Sequence, residues 1–158
     1  MAIHIVLYQP QIPSNTGNIA RTCAGTDTVL HLIRPFGFST DDKALKRAGL
    51  DYWEYVEIHY YDSLDEFYKK NDGGAFYYVT KVGETPYDSF NYSEINKDHY
   101  FIFGSETTGL PQEVIQNNLD RTLRIPMTDN IRSYNLSNTA AVLIYEALRQ
   151  QNFGHLKK

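Results

Sequence analysis

IPMTDNIRSYNLSNTAAVLIYEALRQ, residues 125–150, ends in an apolar helix that begins at Ala140 or a little earlier. Its start is crowded with hydrogen-bonding side chains: Arg132, Ser133, Asn135, Ser137, Asn138 and Thr139. Capping a helix takes one or two such groups, so the others must serve something else. Leu136, Ala140, Leu143 and Ala147 form one apolar stripe, and Ala141, Ile144 and Leu148 form a second beside it. A helix apolar over more than half its circumference is expected to be buried on two sides. Coming last in a small chain, it is expected to offer its second side to another subunit, the alternative being the central helix of a monomer.

Upstream of this helix, short apolar runs alternate with helix-like segments. The runs are IHIVLY (3–8), VLHLIRP (29–35), YVEIHY (55–60), AFYYVTK (75–81), HYFIFG (99–104) and RTLRIP (121–126). Several are apolar at consecutive positions, as strands covered on both faces of a parallel sheet tend to be. Between them lie SNTGNIARTCAG (14–25), DDKALKRAG (41–49), SLDEFYKKN (63–71) and PQEVIQNNL (111–119), each opening with a capping residue or a proline. The alternation predicts an α/β fold, a mainly parallel sheet with helices on both faces, in one domain over residues 1–158.

The chain has 158 residues, and a domain of that length buries roughly 68–70% of its unfolded surface, enough for a core without staples. Its lone cysteine, Cys23, cannot form an internal disulfide, and no stretch reads as a signal peptide or membrane span, so a cytoplasmic protein is expected. The net charge of −4 excludes coating nucleic acid by bulk charge and leaves only a local basic patch for such contacts.

Ligands of parallel sheets sit beyond the carboxyl ends of the strands. Three loops there stand out. In GSETTGLP, Gly104 and Gly109 have the spacing of a phosphate-binding frame, but Leu110 and Pro111 replace its Lys and Ser/Thr, so a nucleoside triphosphate site is not expected. Either the glycines let backbone approach a ligand, with Glu106 aimed at something polar or cationic, or the segment is a tight strand-to-helix turn. In IPSNTGNIAR, Ser14 or Asn15 can cap the helix, Asn18 and Arg21 share one face, and Ile19 and Cys23 face the sheet. Arg21 there suits a phosphate or a developing oxyanion, or is simply solvated. The third loop is PMTDNIRSYNLSN, before the last helix.

Together, N-x-G-N-x-x-R, F-G-S-E-T-T-G-L-P and I-P-M-x-x-x-x-R-S-Y-N-L-S-N-T-A-A-V-L-x-Y-E-A resemble, in order, the three signature motifs of SPOUT-class RNA 2′-O-methyltransferases. The short length and DDKALKRAGLDYW (41–53) are similar to the minimal branch that methylates the wobble (position 34) ribose of leucine tRNAs. The resemblance implies a C-terminal deep trefoil knot, a homodimer through the last helix, a tRNA substrate and S-adenosylmethionine as cofactor, with S-adenosylhomocysteine as product. It places the cofactor against Tyr78, Gly104, Ile125, Met127, Ser133 and Leu136, largely through backbone. It makes Arg21, Asn15, Glu106, Ser133 and Tyr145 the catalytic candidates, although Tyr145 could equally be interface packing. The sulfonium methyl is already activated, so no metal is expected to be needed. Arg21 matches the family arginine sometimes described as a base; a guanidinium is a poor base, so it is expected to orient the ribose or phosphate and favour the alkoxide.

Lys43, Lys46 and Arg47, with Arg132, form the expected tRNA-binding set, which by charge pattern alone is an ordinary solvated helix face. Thr108 stands where relatives often carry arginine, and Ile131 where a small polar residue is more usual. The rival readings are a methyltransferase of another RNA such as rRNA, a non-catalytic RNA-binding module, and a dinucleotide oxidoreductase, for which G-x-G-x-x-G is missing.

Overall fold

The computed structural model describes residues 2–39 and 42–158. Its strands are β1 (Ile3–Tyr8), β2 (Val29–Ile33), β3 (Ile58–Tyr61), β4 (Ala75–Val79), β5 (Thr85–Pro86), β6 (His99–Phe103) and β7 (Thr122–Arg124). They form one seven-stranded sheet in the order β3-β2-β1-β6-β4-β7-β5, and every pairing is parallel. The central strands β2 and β6 are buried along their whole length, which explains why their sequences are apolar without alternation. Two details differ from the sequence expectation. The third strand starts at Ile58, because Leu50–Tyr55 wind into a 3₁₀ turn, and β5 is too short to leave a periodic signal.

The helices are α1 (Pro13–Thr26), α2 (Lys43–Gly49), α3 (Leu64–Lys70), α4 (Gln112–Gln116) and α5 (Leu136–Gln150). One sheet face carries α1 and α5, whose Ile19, Ala20, Cys23, Ala140, Leu143, Ile144 and Ala147 pack on Ile5, Leu7, Phe101 and Phe103. The other carries α3 and α4, with Phe67, Leu64, Val114 and Ile115 against Val6, Ile33 and Ile102. Asp41, with which the second helix was expected to open, lies outside the described residues.

Three helix starts follow local chemistry. Neither Ser14 nor Asn15 caps α1: the helix begins one position earlier at Pro13, whose missing N–H is no loss there, and Ile12 is its uncapped N-terminal flank. Ser63 caps α3 by accepting from Glu66 N. The last helix starts a full turn before Ala140, because the Asn135 side chain accepts from Ser137 N and Asn138 N.

Between β4 and β5 the chain crosses β7, which is inserted between them. The crossing is close: Thr80 N donates to Leu123 O at 3.0 Å, and a Cβ on Gly83 would come within 2.5 Å of the Leu123 backbone. Backbone cannot yield as a flexible side chain can, so glycine is required there.

On the α3 face a largely buried polar chain links β1, β2 and β3 to Asp98, the residue before β6. His4 Nε2 lies 3.0 Å from Asp98 Oδ1, His4 Nδ1 2.8 Å from His31 Nε2, and His31 Nδ1 2.8 Å from the Tyr61 hydroxyl. Asn71 Nδ2 donates to that hydroxyl. One proton order satisfies every group: His4 donates to Asp98, His31 donates to His4, and Tyr61 donates to His31, with both imidazoles neutral. In that order a proton added to His4 would meet the His31 N–H, and one added to His31 would meet the Tyr61 O–H. Burial lowers the pKa of His4, against the pull of Asp98, and pushes that of His31 down to about 3. Because the folded values lie below the unfolded ones, the unfolded chain binds more protons as pH falls. Stability is expected to be full above about pH 6.5 and to fall below it, by up to about 1.4 kcal/mol per pH unit for each histidine. Urea midpoints between pH 7 and 4 check this; His31→Leu should be less stable at pH 7 but show a flatter slope.

Candidate active site

The loops following β1, β4, β6 and β7 meet at the carboxyl edge of the sheet. Glu106, in the turn after β6, is the joint between them. Its Oε1 accepts from Gln11 N at 2.9 Å, and its Oε2 accepts from Ile12 N at 2.9 Å and from Asn15 Nδ2 at 3.1 Å. The polar partners expected for Glu106 are therefore main-chain amides and a carboxamide, and no cation. Asn15, 5% exposed, passes the connection on, its Oδ1 accepting from Asn135 Nδ2 at 3.0 Å. Asn135 Oδ1 in turn accepts from Ser137 N and Ser137 Oγ, while Asn135 O accepts from Thr139 N and Thr139 Oγ1. Much of the crowding of polar groups at this helix start is thus accounted for. One residue caps α5 with its oxygen and ties the helix to the first loop with its nitrogen.

The GSETTGLP segment is a tight turn folded on itself. Gly109 N donates to Ser105 O at 2.9 Å, Ser105 Oγ and Thr108 Oγ1 are 2.6 Å apart, and Gly109 adopts φ +70°. A Cβ on Gly104 would meet Gly109 and Leu110 backbone at 2.1 Å, so this glycine admits the chain's own return. Pro111 then flanks the start of α4.

Around these loops lies a cleft of about 540 Å³, lined by Ile12, Asn15, Val79 to Val82, Phe103 to Leu110, Ile115, Ile125, Met127, Ser133 to Leu136 and Thr139. It falls within the ~300–1,000 Å³ usual for small-molecule and cofactor sites. Of the sequence-derived candidates it gathers Asn15, Gly104, Glu106, Ile125, Met127, Ser133 and Leu136. Tyr78 is not among the lining: its ring packs on the opposite sheet face, where its hydroxyl lies 2.6 Å from that of Tyr68. Val79, next to it in β4, and Thr80, Lys81 and Val82, just beyond the strand, line the cleft. That loop carries no motif, and its part in the cleft follows only from β7 being drawn in beside β4.

Arg21 and Tyr145 also stand outside the lining, on exposed faces of α1 and α5. Lys43, Lys46 and Arg47 are exposed on α2, Arg132 is exposed before α5, and none of the four pairs with a carboxylate among the described residues. The second apolar side of α5 is not the stripe expected. Ile144 and Leu148 are buried with Ala140, Leu143 and Ala147, and the apolar residues left uncovered are Val142, 40% exposed, and Tyr145, 49% exposed. Among the described residues no helix is long and apolar enough to cross a membrane, and no group of three or more His, Cys, Asp or Glu is placed to hold a metal ion.

The model of the SpoU rRNA Methylase family matches residues 2–145. A Listeria monocytogenes protein bearing the name of a tRNA (cytidine(34)-2′-O)-methyltransferase is 70% identical over 156 residues, covering 99% of this chain and 92% of its own. The tRNA (cytidine(34)-2′-O)-methyltransferase of Methylovorus glucosotrophus is 47% identical over 150 residues, covering 94% and 96%. A solved structure described as giving insight into the 2-OH methylation of C/U34 on tRNA superposes with a TM-score of 0.88 at 41% identity, over 96% of this chain and 97% of that one.

If the Glu106 joint sets the cleft, its removal should be felt in stability. Glu106→Gln, which turns an NH₂ group toward donors, is expected to cost about 1–3 kcal/mol, and Asn135→Ala about 1 kcal/mol. Because the two share Asn15, the double variant should depart from additivity in denaturant titration.

Proposed function

This chain belongs to the SpoU rRNA Methylase family, and from that premise we propose that it methylates the 2′-hydroxyl of the position-34 ribose of tRNA, with leucine tRNAs as substrates and S-adenosylmethionine as donor. The observation that carries the reading is the meeting of three loops, distant in sequence, through Glu106, Asn15 and Asn135 on one cleft.

The residues present fit that donor. Phe103, Leu110, Ile125, Met127 and Leu136 offer an apolar slot for a purine, and the irregular backbone around Gly104, Ile125 and Ser133 can read its edge. When bound, the donor supplies a methyl group on a sulfonium, whose departure as a thioether needs no proton. What is left to the chain is to align the ribose oxygen with that methyl and to stabilise the oxygen as its proton leaves. Arg21 does the second as a fixed positive charge beside the sugar or its phosphate. A substrate phosphate or water takes the proton. Glu106 and Asn15, fully engaged with one another and with main-chain amides, act as positioning residues for the cleft.

Arg21 and Tyr145 project from α1 and α5, which pack together, and Ile131, Tyr134 and Val142 are apolar side chains left exposed in the same C-terminal region. A second copy of the chain docking there would cover Val142 and Tyr145 and bring Arg21 to the mouth of a cleft. The close crossing of the β4–β5 connection over β7 supports a threaded C-terminus, and Lys43, Lys46, Arg47 and Arg132 supply cations for tRNA phosphates. The setting for such an enzyme is the cytoplasm.

Labelled methyl transfer to purified leucine tRNAs, mapped by nucleotide, is expected at position 34 alone; transfer elsewhere, or to rRNA only, overturns the reading. Arg21→Ala should lower kcat by about 100-fold or more while calorimetric donor binding is retained. Sedimentation should give a dimer, converted to monomer by Tyr145→Asp.

A further inference from the structure

Among the described residues Arg21, Arg34 and Arg121 all lie over aromatic rings, and of these Arg21 alone has no polar partner. Arg34 and Arg149 are paired with Asp62 and Glu146, and Arg121 Nε donates to the Phe76 carbonyl. Among the described residues no carboxylate, carbonyl or hydroxyl engages the Arg21 guanidinium. Its fixed neighbour is a π face: the guanidinium carbon sits 5.0 Å from the centroid of the Tyr52 ring.

That ring comes from a different element and is anchored from it. Tyr52 lies in the 3₁₀ turn Leu50–Tyr55, which packs on α1, as does α2 before it. Trp53 of that turn and Val56 just after it pack against the main core, and Val56 N donates to Trp53 O at 3.2 Å. Trp53 thus faces inward while Tyr52, 38% exposed, faces Arg21. Its hydroxyl makes no hydrogen bond among the described residues, so the ring is what this position contributes.

The physical difference between the two ways of holding an arginine is decisive. A carboxylate would occupy the N–H donors and cancel the field that a developing alkoxide needs. An aromatic face fixes the position of the guanidinium through the ring quadrupole and leaves its in-plane donors free. We propose that Tyr52 is a positioning residue for Arg21, holding the guanidinium unneutralised with its donors turned toward the sugar-phosphate substrate. The proposal rests on the reading of Arg21 as the electrostatic group of the methyl transfer.

The test compares Tyr52→Phe, which keeps the π face, with Tyr52→Leu, which keeps apolar bulk without it. Tyr52→Leu is expected to lower kcat about two- to fivefold, with KM for S-adenosylmethionine unmoved, and Tyr52→Phe to recover most of that loss. NMR of the free protein supplies a readout independent of turnover: the Arg21 side-chain protons should be shifted upfield by the ring, in the native protein and Tyr52→Phe, and the shift should vanish in Tyr52→Leu. Equal kcat for the Leu and Phe variants, or no ring-dependent shift, overturns the proposal. If Arg21→Ala transfers methyl at the native rate, the reading beneath it fails instead, even where the shift is seen.

Discussion

A single carboxylate, Glu106, sets the geometry of the cleft. Two backbone amides at Gln11 and Ile12 and the Asn15 carboxamide converge on it, and hydrogen bonds to an ionised acceptor are about twice as strong as neutral ones. The parallel sheet delivers the loops after β1, β6 and β7 to the same edge, but delivery leaves them free to take many relative positions. Glu106, Asn15 and Asn135 fix one of those positions, joining the turn after β6, the first turn of α1 and the start of α5. The consequence is a cleft whose charged group is already satisfied and whose walls are apolar side chains and backbone. A donor with a purine and a sulfonium can enter such a site without competing for its scaffold.

The chemistry is spread over the surface in the same spirit. Groups that build the cleft are engaged with one another, whereas the cation assigned to the reaction, Arg21, is free of any anionic partner among the described residues and leans on an aromatic ring. Its charge is therefore available to a substrate. On the α3 face of the sheet the buried His4–His31–Tyr61 chain uses the opposite device. There each donor meets an acceptor, the imidazoles are kept neutral by burial, and the cost of adding a proton falls on the fold.

The regular elements were largely legible. Six of the strands show as apolar runs, since a buried parallel strand imposes its hydrophobicity residue by residue. The helices announce themselves by local capping chemistry, although α1 uses Pro13 instead of Ser14 or Asn15, and α5 starts a turn early on Asn135. With Pro13 opening the helix, the Asn15 carboxamide is free to bridge Glu106 and Asn135, contacts that its place in the sequence does not announce. The uncovered side of α5 was misjudged for a different reason. Helical periodicity says which residues share a stripe, but not how wide a stripe the sheet will cover, and the sheet covers Ile144 and Leu148 as well.

By itself the amino-acid order determined the α/β alternation, the locations of the three polar loops and, through their motifs, the family resemblance and its chemistry. Tertiary structure alone decided that Glu106 binds residues more than ninety positions away, that the motif-free segment after β4 lines the cleft, and that Tyr52 lies under Arg21. The reason is one of range. Periodicity and capping act over a few residues and are written in neighbouring letters, whereas these contacts depend on β7 being inserted between β4 and β5 and on a 3₁₀ turn docking against α1, and no local pattern encodes either.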